Sequence, residues 1–191
     1  MRAAMESWKW VLLVNLERTR ERRERMAAEF ERVGLEARLW SAVDARTLTD
    51  ADRAFIDLDR RRRLGLHPIP DGSLANTLSQ RAAMEQLVRN GPEMMAVFED
   101  DARFDPALPK VLAALERHYH LYDVVKLQRR NLRRPFVRTI PLTGEHWLGR
   151  VRFADFGSEG YVITRDGARR LLDRKPRLVF QLTNVKHIIS F

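Results

Sequence analysis

Short apolar runs alternate with amphipathic stretches along most of this sequence. Residues 10–16 form an apolar run of the kind found in strands that are buried on both faces. Residues 94–98, 122–127 and 160–164 repeat this pattern, and residues 35–42 predict a further strand. Because strands without a polar face occur mainly in parallel sheets covered by helices, we expect an α/β fold with a mostly parallel sheet flanked by helices.

Apolar residues recur at helical spacing between these strands. Met26, Phe30 and Val33 lie on one face of a helix predicted from Thr19 to Gly34, where the glycine suits a C-cap. Further helices are predicted at residues 74–88, 106–117 and 166–172, and a charged helix outside the core at residues 46–63. Residues 64–73 predict a loop, residues 129–155 an irregular region or a hairpin, and residues 177–191 an apolar tail with no clear partner.

The charge of the chain is strongly basic. It has 35 Lys and Arg against 26 Asp and Glu, a formal net charge of +9, and 30 of its basic residues are arginine. Arginine binds phosphate with a two-pronged donor geometry, so this excess favours a nucleic acid, an anionic membrane surface or a phosphate-bearing substrate as partner. The simpler interpretation is that the arginines cover solvated helix faces. The densest clusters are residues 60–63 and 129–134.

Three features that this sequence lacks bear on the cellular compartment in which we expect the protein. It contains no cysteine, which excludes a disulfide framework and a cysteine-based zinc site. No apolar run approaches the roughly 18 residues that a membrane-spanning helix needs. The first residues also lack the apolar core of a secretory signal. We expect a cytoplasmic protein, with a peripheral contact between its arginines and the anionic inner face of the membrane.

Three consecutive acids follow one of the buried strands. Glu99, Asp100 and Asp101 come directly after the apolar run 94–98. Ligands of open α/β sheets bind beyond the carboxyl ends of the strands, and Mg²⁺ or Mn²⁺ prefers carboxylate oxygens that it shares with substrate phosphates. In an extended segment Glu99 and Asp101 would point to the same side, so we take these two as metal ligands, with Asp101 as the stronger candidate of the pair. The alternative is a solvated acidic turn before the next helix.

Five segments occur in an order that resembles a known family. They are Asn15-Leu16-Glu17-Arg18, Ala42-Val43-Asp44-Ala45, residues 72–80, Val97-Phe98-Glu99-Asp100-Asp101, and residues 160–172 with their Tyr-Val-Ile-Thr and Gly-Ala-Arg-Arg-Leu-Leu. Together they are similar to glycosyltransferase family 25, the lipopolysaccharide-biosynthesis glycosyltransferases. The likeness covers residues 9–175, so we predict one family-type domain there and a divergent or truncated tail at residues 176–191.

The resemblance implies a fold and an activity. The fold is a GT-A-like, Rossmann-like single domain. The activity is an inverting, metal-assisted transfer of a sugar, often galactose, from a UDP-sugar to a lipooligosaccharide-type acceptor. The acidic triplet stands where the family has its metal motif, and a divalent cation there would neutralise the departing diphosphate.

The resemblance also implies which residues contact substrate. Asn15 and Arg18 are placed to contact the nucleotide, and Arg22 either joins them or braces the first helix. The matching segments add Asp44, Ser79, Gln80 and Asp100 as substrate-binding residues. For the base that an inverting transfer needs, Glu159 is the first candidate and Asp155 the second.

Departures from the family pattern keep other functions open. Ser79-Gln80 stands where the family has Ser-His, and Ala75-Asn76 where it has Gly-Cys. A catalytically impaired remnant of the same fold is therefore one alternative. A basic protein that binds nucleic acid or a membrane surface is another, although no aromatic and arginine motif for nucleic acid is present and we expect no nucleic-acid partner. A metal-dependent phosphohydrolase that uses the same acids is a further alternative.

Overall fold

The computed structural model describes residues 10–128, 136–155, 157–174 and 185–190. They form one α/β domain around a single sheet with the strand order β2-β1-β3-β7-β4-β8-β6-β5. The strands are β1 Val11–Asn15, β2 Arg38–Ser41, β3 Met94–Glu99, β4 Val124–Lys126, β5 Phe136–Pro141, β6 Trp147–Asp155, β7 Gly160–Thr164 and β8 Val185–Ser190. The predicted α/β class is confirmed.

The sheet is mixed rather than mostly parallel. Strand β1 pairs in parallel with β2 and β3, and β4 pairs in parallel with β8. Strand β7 runs antiparallel to both of its neighbours, β3 and β4, and β6 runs antiparallel to β5 and β8. All five residues of β7 are buried. A strand buried on both faces has the same apolar pattern in either direction, so its sequence did not reveal its orientation.

The structure assigns strands to two regions whose sequence pattern was weak, residues 129–155 and the tail at residues 177–191. The predicted irregular region contains an antiparallel hairpin formed by β5 and β6. The apolar tail, for which the sequence offered no partner, contributes β8, which lies between β4 and β6. The arginine cluster at residues 129–134 lies outside the described residues.

Helices cover both faces of the sheet. They are α1 Arg20–Val33, α2 Asp50–Arg53, α3 Leu58–Arg63, α4 Asp71–Asn90, α5 Leu108–Arg117 and α6 Arg165–Arg174. Alternate residues of β1 point to opposite faces, with Leu13 packing in the core beneath α1 and α5 and Leu12 in the core beneath α4 and α6. Among the described residues, no helix is long and apolar enough to cross a membrane.

The charged stretch 46–63 was predicted as one helix, and this is wrong. It contains a turn of 3-10 helix at Ala45–Thr47 and the two short helices α2 and α3. Thr49 and Asp52 form a capping box at the start of α2, and the Asp57 side chain accepts from the backbone N–H of Arg60 at the start of α3. Each cap begins a new helix because it satisfies the N–H groups of a first turn.

We expect the Gly167→Ala substitution to destabilise the fold by about 1–3 kcal/mol, the usual cost of inserting atoms into a packed interior. A Cβ atom at Gly167 would lie 2.8 Å from the carbonyl carbon of Asp123, a backbone atom that cannot rotate away. Gly72 lies in the first turn of α4, and a Cβ there would meet nothing within 4 Å. Gly72→Ala is therefore the control, and urea denaturation that found the two variants equally stable would contradict the packing argument.

Candidate functional site

A cavity of about 240 Å³ lies where β1 and β3 end. Parallel neighbours end at the same edge of a sheet, so Asn15 at the end of β1 and Glu99 at the end of β3 both line it. Its other walls come from the loop after β2 and from the first turns of α4. Of the predicted substrate-binding and metal residues, the structure brings eight to this cavity: Asn15, Arg18, Arg22, Asp44, Ser79, Glu99, Asp100 and, through its bond to Glu99, Gln80.

Asp100 is held mainly by donors from the first helix and the turn before it. Its carboxylate accepts hydrogen bonds from Asn15 Nδ2 at 2.8 Å, from Thr19 Oγ1 at 3.3 Å and from Arg22 Nη1 at 3.1 Å. Arg25 donates to the backbone carbonyl of the same residue. The Asp100 side chain is only 15% exposed, so this paired charge fastens the start of α1 to the end of β3.

Glu99 is held by a different set of donors. Its Oε1 accepts from Asn76 Nδ2 at 2.9 Å, from Gln80 Nε2 at 3.2 Å and from the Ser158 hydroxyl. All three are uncharged donors, and they come from α4 and from the residues just before β7. The two neighbouring acids therefore differ in kind, since Asp100 forms an ion pair with Arg22 whereas neutral groups hold Glu99 Oε1.

Behind Glu99 a buried tyrosine contacts Gln80. The Tyr161 hydroxyl donates to Gln80 Oε1 at 2.6 Å, and both side chains are almost fully buried. Burial raises the pKa of Tyr161 far above its ordinary value, and the nearby charge of Glu99 raises it further. The phenol therefore stays protonated and remains a hydrogen-bond donor at any physiological pH.

Arg18 and Asp44 form an ion pair on the rim of the cavity. Arg18 Nε donates to Asp44 Oδ2 at 2.7 Å, and the Asp44 side chain also accepts from the backbone N–H of Arg46 at 3.0 Å. These two hydrogen bonds lower the pKa of Asp44 below its ordinary value of 3.8, and the bond from the Arg46 N–H has the larger effect. The Arg18 side chain remains 46% exposed beside the cavity.

Ser79 uses its hydroxyl within the protein. Its Oγ donates to the Ala75 carbonyl at 2.8 Å and accepts from the backbone N–H of Val43 at 2.8 Å. The side chain therefore connects α4 to the loop after β2, and it is 1% exposed. This geometry describes a residue that shapes the cavity wall.

The predicted metal ligands do not share one environment. Glu99 is the last residue of β3, and Asp100 and Asp101 form a turn, so the alternation expected of an extended segment stops at Glu99. Asp101 is exposed and is absent from the cavity wall. In the described parts of the chain, no group of three or more His, Cys, Asp and Glu side chains is arranged to hold a metal ion.

Of the two candidate bases, Glu159 lies next to Glu99 and does not line the cavity. Glu159 accepts from Gln128 Nε2, and its backbone carbonyl accepts from the Glu99 N–H at 3.0 Å. Asp155 is the last residue of β6, and its side chain lies outside the described part of the structure. The assignment of a base therefore stays a prediction.

Several residues of this network carried no functional assignment from the sequence. Thr19 was identified only as the start of a predicted helix and Tyr161 only as part of a family motif, and Ser158 and Arg25 were not singled out. One signal was present, because Asn76 and Gln80 are four residues apart on a predicted helix and so share a face. The partners of this face of α4 include Ser158 and Tyr161, and the position of β7 that brings them there was revealed only by the fold.

Comparison with known sequences identifies the family. The sequence model of glycosyltransferase family 25, described as a lipopolysaccharide biosynthesis protein, matches residues 9–184. The chain belongs to glycosyltransferase family 25. The resemblance inferred from the ordered motifs is thereby confirmed.

Known members of family 25 show similar coverage of this chain. A glycosyltransferase 25 family member from Anopheles gambiae is 30% identical over 176 residues, covering 87% of this chain and 29% of that protein. Procollagen galactosyltransferase 2 from Homo sapiens is 22% identical, covering 87% of this chain and 28% of that protein. Inactive glycosyltransferase 25 family member 3 from Mus musculus is 25% identical, covering 87% of this chain and 29% of that protein. The chain spans less than a third of the length of these curated relatives.

The lowered pKa of Asp44 predicts a pH-dependent contribution to stability. A carboxyl whose pKa is lower in the folded state stabilises the fold above its ordinary pKa, and this contribution is lost as the pH falls through the folded value. We expect Asp44→Asn to lower the urea midpoint at pH 7, and the difference from wild type to shrink as the pH falls below about 4. A difference that stayed constant down to pH 2 would contradict the role of the charge.

Proposed function

We propose that this family 25 domain transfers a sugar from a UDP-sugar donor to an acceptor hydroxyl with inversion at the sugar carbon. The observation that carries the proposal is the cavity at the carboxyl ends of β1 and β3, where Glu99 and two exposed arginines meet. Galactose is the proposed sugar, because two of the similar proteins are named procollagen galactosyltransferases. The proposed acceptor is a lipopolysaccharide-type glycolipid, in line with the description of the family.

Arg18 and Arg22 are the proposed contacts of the donor diphosphate. Both line the cavity, and their side chains are 46% and 60% exposed while each is tethered to an aspartate. A tethered guanidinium loses less conformational freedom when it binds an anion, and its remaining N–H groups suit phosphate oxygens. In this role the two arginines bind and orient the diphosphate.

The cavity offers oxygen atoms that fit a hard divalent cation, which we propose to be Mn²⁺ or Mg²⁺. Glu99 and Asp100 line it, and the buried Oδ1 of Asn15 has no hydrogen-bond partner. Such cations are commonly held by one or two carboxylates together with substrate phosphates. Of the predicted pair, Glu99 lines the cavity and would hold the ion there, whereas Asp101 lies outside the cavity wall and stays a predicted ligand. When bound, the cation supplies positive charge to the departing diphosphate.

The metal hypothesis predicts that binding of the cation and the nucleotide is coupled. Because no group of three acidic or histidine ligands is assembled within the described residues, we expect Mn²⁺ alone to bind weakly and UDP with Mn²⁺ to bind much more tightly. Isothermal titration calorimetry of UDP, with and without Mn²⁺, measures this coupling. Equal affinity in both titrations would contradict a bridging cation.

Matched substitutions separate the two predicted metal ligands. We expect Glu99→Gln to weaken UDP binding in the presence of Mn²⁺ by about tenfold or more, and Asp101→Asn to weaken it less. Asp59→Asn is the control, since this carboxylate is exposed on α3, away from the cavity. If Asp101→Asn proved the more damaging change, Asp101 rather than Glu99 would be the principal ligand.

A catalytically impaired domain of the same family is the second candidate. It is favoured by Gln80 and Asn76 in place of the family's His and Cys, and by the similarity to a protein named inactive. Incubation with UDP-galactose and Mn²⁺, with release of UDP as the measurement, distinguishes the two candidates. Donor binding without hydrolysis or transfer to lipooligosaccharide or collagen acceptors would favour the impaired domain. The cytoplasmic location and the peripheral membrane contact stay predictions.

A further inference from the structure

Two of the residues that depart from the family pattern, Asn76 and Gln80, contact one another as well as Glu99. Asn76 and Gln80 lie one turn apart on α4, and both donate to Glu99 Oε1. Gln80 Nε2 also lies 3.3 Å from Asn76 Oδ1, to which it donates. Each amide therefore serves as donor and acceptor in one connected network that ends on the carboxylate.

The orientation of Gln80 depends on Tyr161. A glutamine amide presents either its NH₂ group or its oxygen to a neighbour, and only the NH₂ group is favourable beside a carboxylate. Because the Tyr161 hydroxyl donates to Gln80 Oε1 at 2.6 Å, Nε2 is left facing Glu99. Without that hydroxyl the amide oxygen would lose this donor, and the orientation of Gln80 would rest on the bonds from Nε2 to Glu99 Oε1 and to Asn76 Oδ1.

We propose that Tyr161, Gln80 and Asn76 are positioning residues that fix the Glu99 carboxylate at the cavity for the donor and its cation. This inference rests on the proposed function, since it concerns the same cavity. It also gives the two departures a common role, because Asn76 and Gln80 complement each other in hydrogen bonding. Two unrelated losses in a decaying site would not be expected to produce a pair of amides that bond to one another and to the same oxygen.

A double-mutant cycle tests the coupling between Tyr161 and Gln80. We expect Tyr161→Phe and Gln80→Met each to weaken binding of UDP with Mn²⁺ by about tenfold, in the range found when groups that orient a metal ligand are removed. Because Tyr161 acts through Gln80, the double variant should bind no more weakly than Gln80→Met alone. Calorimetry gives the affinities, and the electron paramagnetic resonance spectrum of Mn²⁺ reports its binding without reference to turnover.

Tyr122 supplies a matched control for the loss of a buried phenol. Its hydroxyl donates to the Leu115 carbonyl at 3.0 Å, the residue is 5% exposed, and it does not line the cavity. We expect Tyr122→Phe to cost stability in urea while leaving UDP and Mn²⁺ binding unchanged. If Tyr161→Phe fails to fold, Gln80→Met and Asn76→Ala still test the positioning of Glu99. Both substitutions remove a donor to Glu99 from α4, and each should weaken binding of UDP with Mn²⁺.

The outcomes separate the inference from the proposed function. If the wild-type protein binds UDP with Mn²⁺ and the Tyr161, Gln80 and Asn76 variants bind it equally well, the positioning role is wrong and the donor site stands. Additive losses in the double variant would also contradict the role, because they would mean that Tyr161 acts independently of Gln80. If the wild-type protein binds no UDP under any condition with Mn²⁺, the proposed function and the inference both fail.

Discussion

The hydrogen bond between Asn15 and Asp100 joins the ends of two parallel strands, and the arrangement of the whole site depends on that pairing. Strands β1 and β3 end at the same edge, with Val14 opposite Glu99. The chain then turns away on both sides, into α1 and into the Asp100–Asp101 turn. Donors on and before α1 hold Asp100, so the acid that follows the strand also fixes where the first helix begins.

The antiparallel strand β7 completes the site from the other side. Gly160 lies opposite Phe98 on β3, and a Cβ there would come within 3.1 Å of the Phe98 ring. Glycine at position 160 therefore allows β7 to approach β3 closely. Ser158 precedes Gly160 in the chain, and Tyr161 follows it. These two residues reach Glu99, one directly and one through Gln80.

The adjacent acids Glu99 and Asp100 are therefore held by different kinds of donor. Asp100 forms an ion pair with an arginine and connects α1 to the end of β3, whereas neutral amides and a hydroxyl hold Glu99 at the cavity. Burying a carboxylate among donors costs less free energy than burying it alone, because its lone pairs are satisfied. Arg18 and Arg22 place positive charge beside the cavity, where the proposed donor diphosphate would bind.

The sequence by itself determined most of the elements, the family and most of the residues around the cavity, because apolar periodicity and short motifs are local properties. It correctly predicted β1, α1, α4 and β3, with the acids at the end of β3. Only the tertiary structure decided the antiparallel insertion of β7, the place of β8 and the separation of Asp101 from Glu99. These features depend on which distant segments pair and on where a strand stops, and a buried strand has the same apolar pattern whichever neighbour it meets.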